Sequence, residues 1–188
     1  MKGWRAFVLS MLLTAPFAPH LSATDQDWKD ALKQQLQEIY PLTKTGIRYD
    51  STYGNMFEIK EFGALLILQQ SGIIVTGKSA VASDNVIENG KIVPPKGAKG
   101  FLGAVEDTEG EQTLDSGSIL YTDRIDVKDT EVRFHVLYLF DANPNRGTVM
   151  GPHFEGAIHF KFAPEYLKAA KVENVKAAID AFFQPEQR

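Results

Sequence analysis

Thr130-Glu131-Val132-Arg133-Phe134-His135-Val136-Leu137-Tyr138-Leu139-Phe140 alternates Val132, Phe134, Val136, Tyr138 and Phe140 with Glu131, Arg133 and His135. Glu155-Gly156-Ala157-Ile158-His159-Phe160-Lys161-Phe162 does the same, with Ile158, Phe160 and Phe162 set against Ala157, His159 and Lys161. Successive strand residues point to opposite faces, so each segment reads as a strand with one set on a core and the other on an outer face or a lumen. Ser118 to Val127, with Ile119, Tyr121, Ile125 and Val127, reads as a third strand. Upstream, Phe57-Glu58-Ile59-Lys60 alternates and Ala64-Leu65-Leu66-Ile67-Leu68 is a continuous apolar run. Ser71-Gly72 then offers a turn into Ile73-Ile74-Val75.

Helical spacing flanks this β-rich centre. Trp28, Ala31, Leu32, Leu36, Ile39 and Tyr40 recur every three or four residues and predict a helix over about Asp25–Tyr40. Thr24 or Asp25 caps it and Pro41 stops it. Thr43 to Asn55 reads as a polar stretch of turn formers, and residues 76–117 are the least regular part, with Pro94-Pro95-Lys96-Gly97 as a surface loop. Pro164 opens a short helix at its favoured first position, and Val172, Val175, Ile179 and Phe182 mark a last one to Phe183. The expected fold is α+β: a curved antiparallel sheet or small β-barrel with an N-terminal helix and two C-terminal helices.

The first residues read as a secretory signal. Met1-Lys2-Gly3-Trp4-Arg5 is basic, Ala6 to Leu13 is apolar, and Pro19-His20-Leu21-Ser22-Ala23 ends in small residues at a cut. The apolar run is shorter than the roughly 20 residues that span a bilayer as a helix. The expected division is a signal peptide over 1–23 and one domain over 24–188, located in the periplasm or secreted and not membrane-spanning after cleavage. Removal of 1–23 takes away Lys2 and Arg5 and no acid, which moves the formal charge from -4 to -6. That balance excludes nucleic-acid binding by charge alone. With no cysteine in the chain, stability comes from an ordinary core rather than from disulfides, and thiol catalysis is absent.

Several motifs invite a chemical reading. Gly72-Ile73-Ile74-Val75-Thr76-Gly77-Lys78-Ser79 satisfies the phosphate-loop pattern letter for letter. Its inner residues are mostly β-branched and favour extended backbone, however, whereas a phosphate cradle turns several N–H groups inward ahead of a helix. His153, Glu155 and His159 share parity, so an extended segment places them on one face. A hairpin register with Phe134 opposite Phe160 sets His135 opposite His159, and this cluster of His135, His153, Glu155 and His159 is the candidate zinc site of a metal-dependent hydrolase. Asp141-Ala142-Asn143-Pro144-Asn145 resembles the start of a calcium loop but has Arg146 and Pro152 where glycine and a bidentate Glu belong. Glu106, Asp107, Glu109 and Glu111 read as solvated surface. Tyr49 and Tyr53, in the polar stretch, form a candidate binding patch, while Phe57 and Phe62 read as core.

Two stretches carry a resemblance. Tyr121-Thr122-Asp123-Arg124-Ile125-Asp126-Val127 leads into Val132-Arg133-Phe134, and Ile158-His159-Phe160-Lys161-Phe162-Ala163-Pro164-Glu165-Tyr166-Leu167 closes on Val172 to Phe183. Together they resemble an uncharacterised family of small exported bacterial proteins with a signal peptide, an N-terminal helix, a β-rich centre and C-terminal helices. The resemblance implies a fold and no catalytic residues. The functional expectation is a non-catalytic binding or accessory protein of the cell envelope, whose partner is an envelope protein or a small ligand. The metal-dependent hydrolase is the competing expectation.

Overall fold

A computed structural model describes residues 27–51, 54–77, 83–93, 110–139 and 153–186. The signal segment, Tyr53, Lys78 and Ser79, the loop at Pro94–Gly97, Glu106, Asp107 and Glu109, and the Asp141–Asn145 motif lie outside those residues.

The molecule is β-rich, with a strongly curled half-barrel sheet and a few short helices. Helix α1 (Asp27–Ile39) leads into strands β1 (Lys44–Asp50), β2 (Gly54–Glu61), β3 (Leu65–Leu68) and β4 (Ile73–Gly77). Then come β5 (Ser83–Glu88), β6 (Lys91–Val93), β7 (Glu111–Leu114), β8 (Ile119–Val127), β9 (Glu131–Leu139) and β10 (His153–Lys161). Helices α2 (Pro164–Ala169) and α3 (Val172–Asp180) precede β11 (Phe183–Glu186). The main sheet runs β11-β3-β8-β9-β10-β4-β7, with β5 alongside β10 and β6 alongside β5; β1 and β2 form a separate two-stranded ribbon.

The curl comes from two bends that run side by side. The β3–β4 and β7–β8 connections bond to each other through Gly72 N to Leu114 O (2.9 Å), Gly117 N to Leu68 O (2.8 Å) and Ser116 N to Ser71 Oγ (2.9 Å). Each pair of strands thus behaves as one long bent strand, and Gly72 and Gly117 take positive φ at the bend, where a side chain would be strained. Bending carries β4 across to β10 while β3 remains beside β8. The phosphate-loop pattern therefore lies within β4 from Ile73 to Gly77, extended and paired with β7.

At β10 the sheet forks. One edge of this strand pairs antiparallel with β4 at Phe154 and Glu155, then parallel with β5 from Gly156 to Phe160. Gly156 sits at the fork, where a Cβ would stand 3.2 Å from Ile74 O. The buried Asn85 side chain fills the gap by acting as a piece of strand. Its Oδ1 accepts from Ile74 N (2.8 Å), and its Nδ2 donates to Ile74 O (2.8 Å) and Ala157 O (3.2 Å). Backbone groups that the divergence would orphan are satisfied in this way.

The concave face holds the core. Val132, Phe134 and Val136 of β9 and Ile158 and Phe160 of β10 meet Leu32, Leu36 and Tyr40 from the first helical region, Leu167 of α2, Val175 and Ile179 of α3, and Phe182 and Phe183. Phe134 meets Phe160 edge-on at 5.8 Å and Tyr40 edge-on at 5.5 Å. The Tyr40 hydroxyl donates to Asp180 Oδ1 at 2.6 Å, so the buried phenol links α1 to α3. Burial, followed by the Asp180 carboxylate, pushes that phenol far above its ordinary value.

Among the described residues, the convex face is covered at one end. There Phe57, Ile59 and Phe62 pack on Leu65, Tyr121, Leu137 and Leu139, so β2 lies against the main sheet and β1 lies outside it. Gly63 ends this ribbon where it crosses the chain after α1. A Cβ there would stand 2.5 Å from Leu42 C and Thr43 N.

Candidate functional site

Away from the ribbon, the convex face of β8, β9 and β10 is polar. Arg124 and Asp126 come from β8, Glu131, Arg133 and His135 from β9, and His153, Glu155, His159 and Lys161 from β10. A β-bulge between Thr122 and Arg124 adds Asp123 to β8, which keeps Arg124 opposite His135 and Asp126 opposite Arg133. Burial raises the Asp123 carboxyl above its ordinary value, with nearby Glu155 adding, against the lowering by the backbone N–H groups of Asp123 and Arg124 and by the Arg124 charge. Its Oδ1 is buried and has no hydrogen-bond partner among the described residues.

Glu131 is the hub of this face. It is 4% exposed, yet four cationic or imidazole groups reach it: Lys128 Nζ at 3.0 Å, Arg133 Nη2 at 3.2 Å, His159 Nδ1 at 3.2 Å and Lys161 Nζ. Burial alone would raise its carboxyl, but the bonds from Lys161, Lys128 and His159 hold it well below the carboxylate range. His159, also 4% exposed, has Glu131 at Nδ1 and Asp84 Oδ1 at Nε2 (2.9 Å), which bridges β9, β10 and β5. Two acceptor carboxylates on one ring leave neither nitrogen free as a ligand.

The three histidines make three separate contacts. His135 lies between Arg124 Nη2, 2.8 Å from its Nε2, and Asp126 Oδ2 at 3.0 Å. Burial first, and then the Arg124 charge, lowers its pKa. Burial tends to raise the Asp126 carboxyl, yet Arg124 and His135 hold it below its ordinary value. His153 contacts Glu155 Oε1 at 3.2 Å and stacks on Phe57, the ring centroids 4.0 Å apart. The expected hairpin register is corrected by two residues: Phe134 pairs with Ile158, His135 with Ala157, and His159 with Arg133. The physical reason is charge. The expected register sets Arg133 opposite Lys161, whereas the observed one sets Lys161 opposite Glu131. Among the described residues no three His, Asp or Glu side chains are grouped to hold a metal ion.

A second concavity lies where the half-barrel opens. A cleft of about 660 Å³ runs between the β5–β6 turn (Glu88, Asn89, Gly90), the end of β10 and the helices α2 and α3. Its walls include Phe160, Phe162, Tyr166, Ala178 and Ala181, and the charged residues Glu88 and Lys161 also line it. Phe162 and Tyr166 stack in parallel, their centroids 5.8 Å apart and planes 4° apart, and leave Tyr166 partly exposed. The small side chains of Ala178 and Ala181 leave the space open. In the sequence Phe162 continues the alternation of β10, and the aromatic pair at i and i+4 around Pro164 is the signal that points to this cleft.

Tyr49, the described half of the expected tyrosine patch, sits in β1 rather than in a loop. It is 74% exposed. Among the described residues no helix is long and apolar enough to cross a membrane. No protein-family model, no curated protein and no solved structure matches this chain, so what it does has to be argued from this geometry.

Proposed function

We propose that this chain is an exported, non-catalytic binding or accessory protein of the bacterial cell envelope, and that it holds a small amphipathic ligand in the cleft between the β5–β6 turn and α2–α3. We read the architecture as α+β, with α1 leading the sheet and α2 and α3 closing its mouth. Support for export is the basic stretch Lys2–Arg5, the apolar run after it and the small residues before Thr24. The observation that carries the binding reading is the cleft itself. At about 660 Å³ it falls in the size range of ligand sites, and its walls are largely apolar. A flat hydrocarbon or aromatic body fits along the Phe162–Tyr166 stack, with its polar end towards the Glu88–Gly90 turn.

The test is a fluorescence titration with anilinonaphthalene sulfonate, an aromatic anion that brightens in apolar sites. One saturable site is expected in the parent protein, with loss of binding in Ala178→Trp, which fills the cleft, and in Tyr166→Ala, which removes the stack. Circular dichroism melting reports whether the variants remain folded. Folded variants that bind the dye as the parent does would sink this reading, as would an absence of saturation.

A further inference from the structure

The β1–β2 ribbon carries a second, independent feature. Strand β1 pairs only with β2, so among the described residues its outer row of backbone N–H and C=O groups has no strand beside it. No described side chain of β1 is buried, and Ile47 and Tyr49 are 68% and 74% exposed. Thr45, Ile47 and Tyr49 share one face of the ribbon, the face on which Phe57 and Ile59 sit opposite Ile47 and Thr45. The edges of the main sheet are blunted by comparison. β7 has four residues, β6 has three, and β11 has four with Pro185 among them. β1 has seven and no proline.

The sequence of β1 also complements itself. A two-fold axis normal to a sheet pairs residues of equal parity across an antiparallel seam, which keeps one face apolar in both copies. With the axis at Ile47, Lys44 faces the partner's Asp50, Thr45 faces the partner's Tyr49, and Gly46 faces the partner's Arg48. Ile47 meets its own counterpart. Shifting the axis to Arg48 sets two arginines opposite each other, and shifting it to Gly46 sets Lys44 against the partner's Arg48. Of these three seams only the one at Ile47 places opposite charges together and like charges nowhere.

We propose that β1 is a dimerisation edge: two copies of this chain join β1 to β1 antiparallel about Ile47, making a four-stranded sheet β2-β1-β1-β2. The seam supplies partners for the open backbone row and gathers Ile47 and Tyr49 of both copies into one apolar stripe. One strand pair is a small contact, so a reversible dimer in the micromolar range is expected.

The experiment is sedimentation equilibrium of the purified protein from about 5 to about 500 µM, with charge-swapped variants. The parent shifts from monomer towards dimer over that range. Ile47→Lys places two lysines at the axis and stays monomeric with unchanged melting, because Ile47 is exposed. Lys44→Glu and Asp50→Lys are each monomeric alone, since each sets like charges across the seam; Lys44→Glu also loses the Lys44–Glu61 ion pair within its own ribbon, so the mixing experiment carries the test of the seam. Mixed together they form a heterodimer, with Glu at 44 facing Lys at 50 and the native Lys44 facing the native Asp50. A parent that stays monomeric throughout overturns the proposal. So does a dimer that survives Ile47→Lys, or a mixture of the two swaps that does not associate.

Discussion

Replacing Glu131 by Gln keeps the shape of the side chain and removes its charge from beneath Lys128, Arg133, His159 and Lys161. Removing one partner of a buried ion pair costs about 3–5 kcal/mol, because the charge left behind is uncompensated. Lys128 and Lys161 are partly exposed and can turn to water, whereas the Arg133 guanidinium is less exposed and less free to turn, so about 3 kcal/mol is expected at neutral pH. For a domain of this size that corresponds to a fall in Tm of about 6–12 °C. The pH dependence separates charge from packing. The folded carboxyl is held well below its ordinary value of 4.5, so on acidification the unfolded chain takes up this proton first. The contribution of Glu131 is complete above pH 4.5 and is lost as pH falls from there through the folded pKa. Urea denaturation of parent and Glu131→Gln at pH 7, 5, 4 and 3 is the assay. The gap between the two should be widest at pH 7 and 5 and shrink at 4 and 3. A gap that stays constant from pH 7 to pH 3, or one below about 1 kcal/mol throughout, would refute the account of Glu131 as an electrostatic hub.

Asn85→Asp sets carboxylate oxygens against Ile74 O and Ala157 O; a loss of about 3 kcal/mol by urea denaturation is expected at neutral pH, recovering in part in acid. Gly63→Ala drives a methyl into the backbone of Pro41–Thr43, and thermal melting should show a loss of more than about 2 kcal/mol, since the obstacle is main chain and cannot turn aside. Tyr40→Phe removes the bond to Asp180 and should cost about 1–2 kcal/mol, read from the denaturation midpoint. Asp123→Asn acts in the other direction. Burial raises this carboxyl in the folded state, so its ionisation opposes folding as pH rises, and the variant should gain stability at pH 7 but not at pH 3.

The alternation in β9 and β10 gave the faces of those strands, because the two-residue period is dictated by the pleat. In β8 the bulge at Asp123 breaks the period, so Tyr121 lies on the convex face and Ile125 and Val127 on the concave one. Alternation did not give the register of β9 against β10. A slip of two residues leaves both faces unchanged, and only the Lys161–Glu131 pairing distinguishes the alternatives. β1 was read as turn formers because Gly46, Arg48 and Asp50 obscure the alternation of Thr45, Ile47 and Tyr49. β5 escaped notice because Asp84 and Asn85 look like loop residues, and their work is done sideways, on His159 and at the fork. Phe183 was placed at the end of a helix, since the apolar stripe of α3 runs into Phe182-Phe183 without a break; the chain turns there and puts both rings in the core. Of the functional geometry, the shared parity of His153, Glu155 and His159 was legible, and their separate partners were not. His159 finds Glu131 of β9 and Asp84 of β5, and His153 stacks on Phe57 of β2, and no spacing within β10 encodes those contacts.

The pairing of β11 with β3 has a consequence in time as well as in space. Phe183–Glu186 lies beside Leu65–Leu68, and Phe182 and Phe183 fill the centre of the core that Phe134 and Phe160 begin. The ribosome delivers these residues after all of the strands they complete. Until they arrive, the concave face lacks two of its largest rings and β3 lacks a neighbour on one side. Closure of the sheet then requires a contact spanning more than a hundred residues, the kind that makes folding slow. The contact that closes this edge of the sheet thus becomes available only after β3 and β8 have been made.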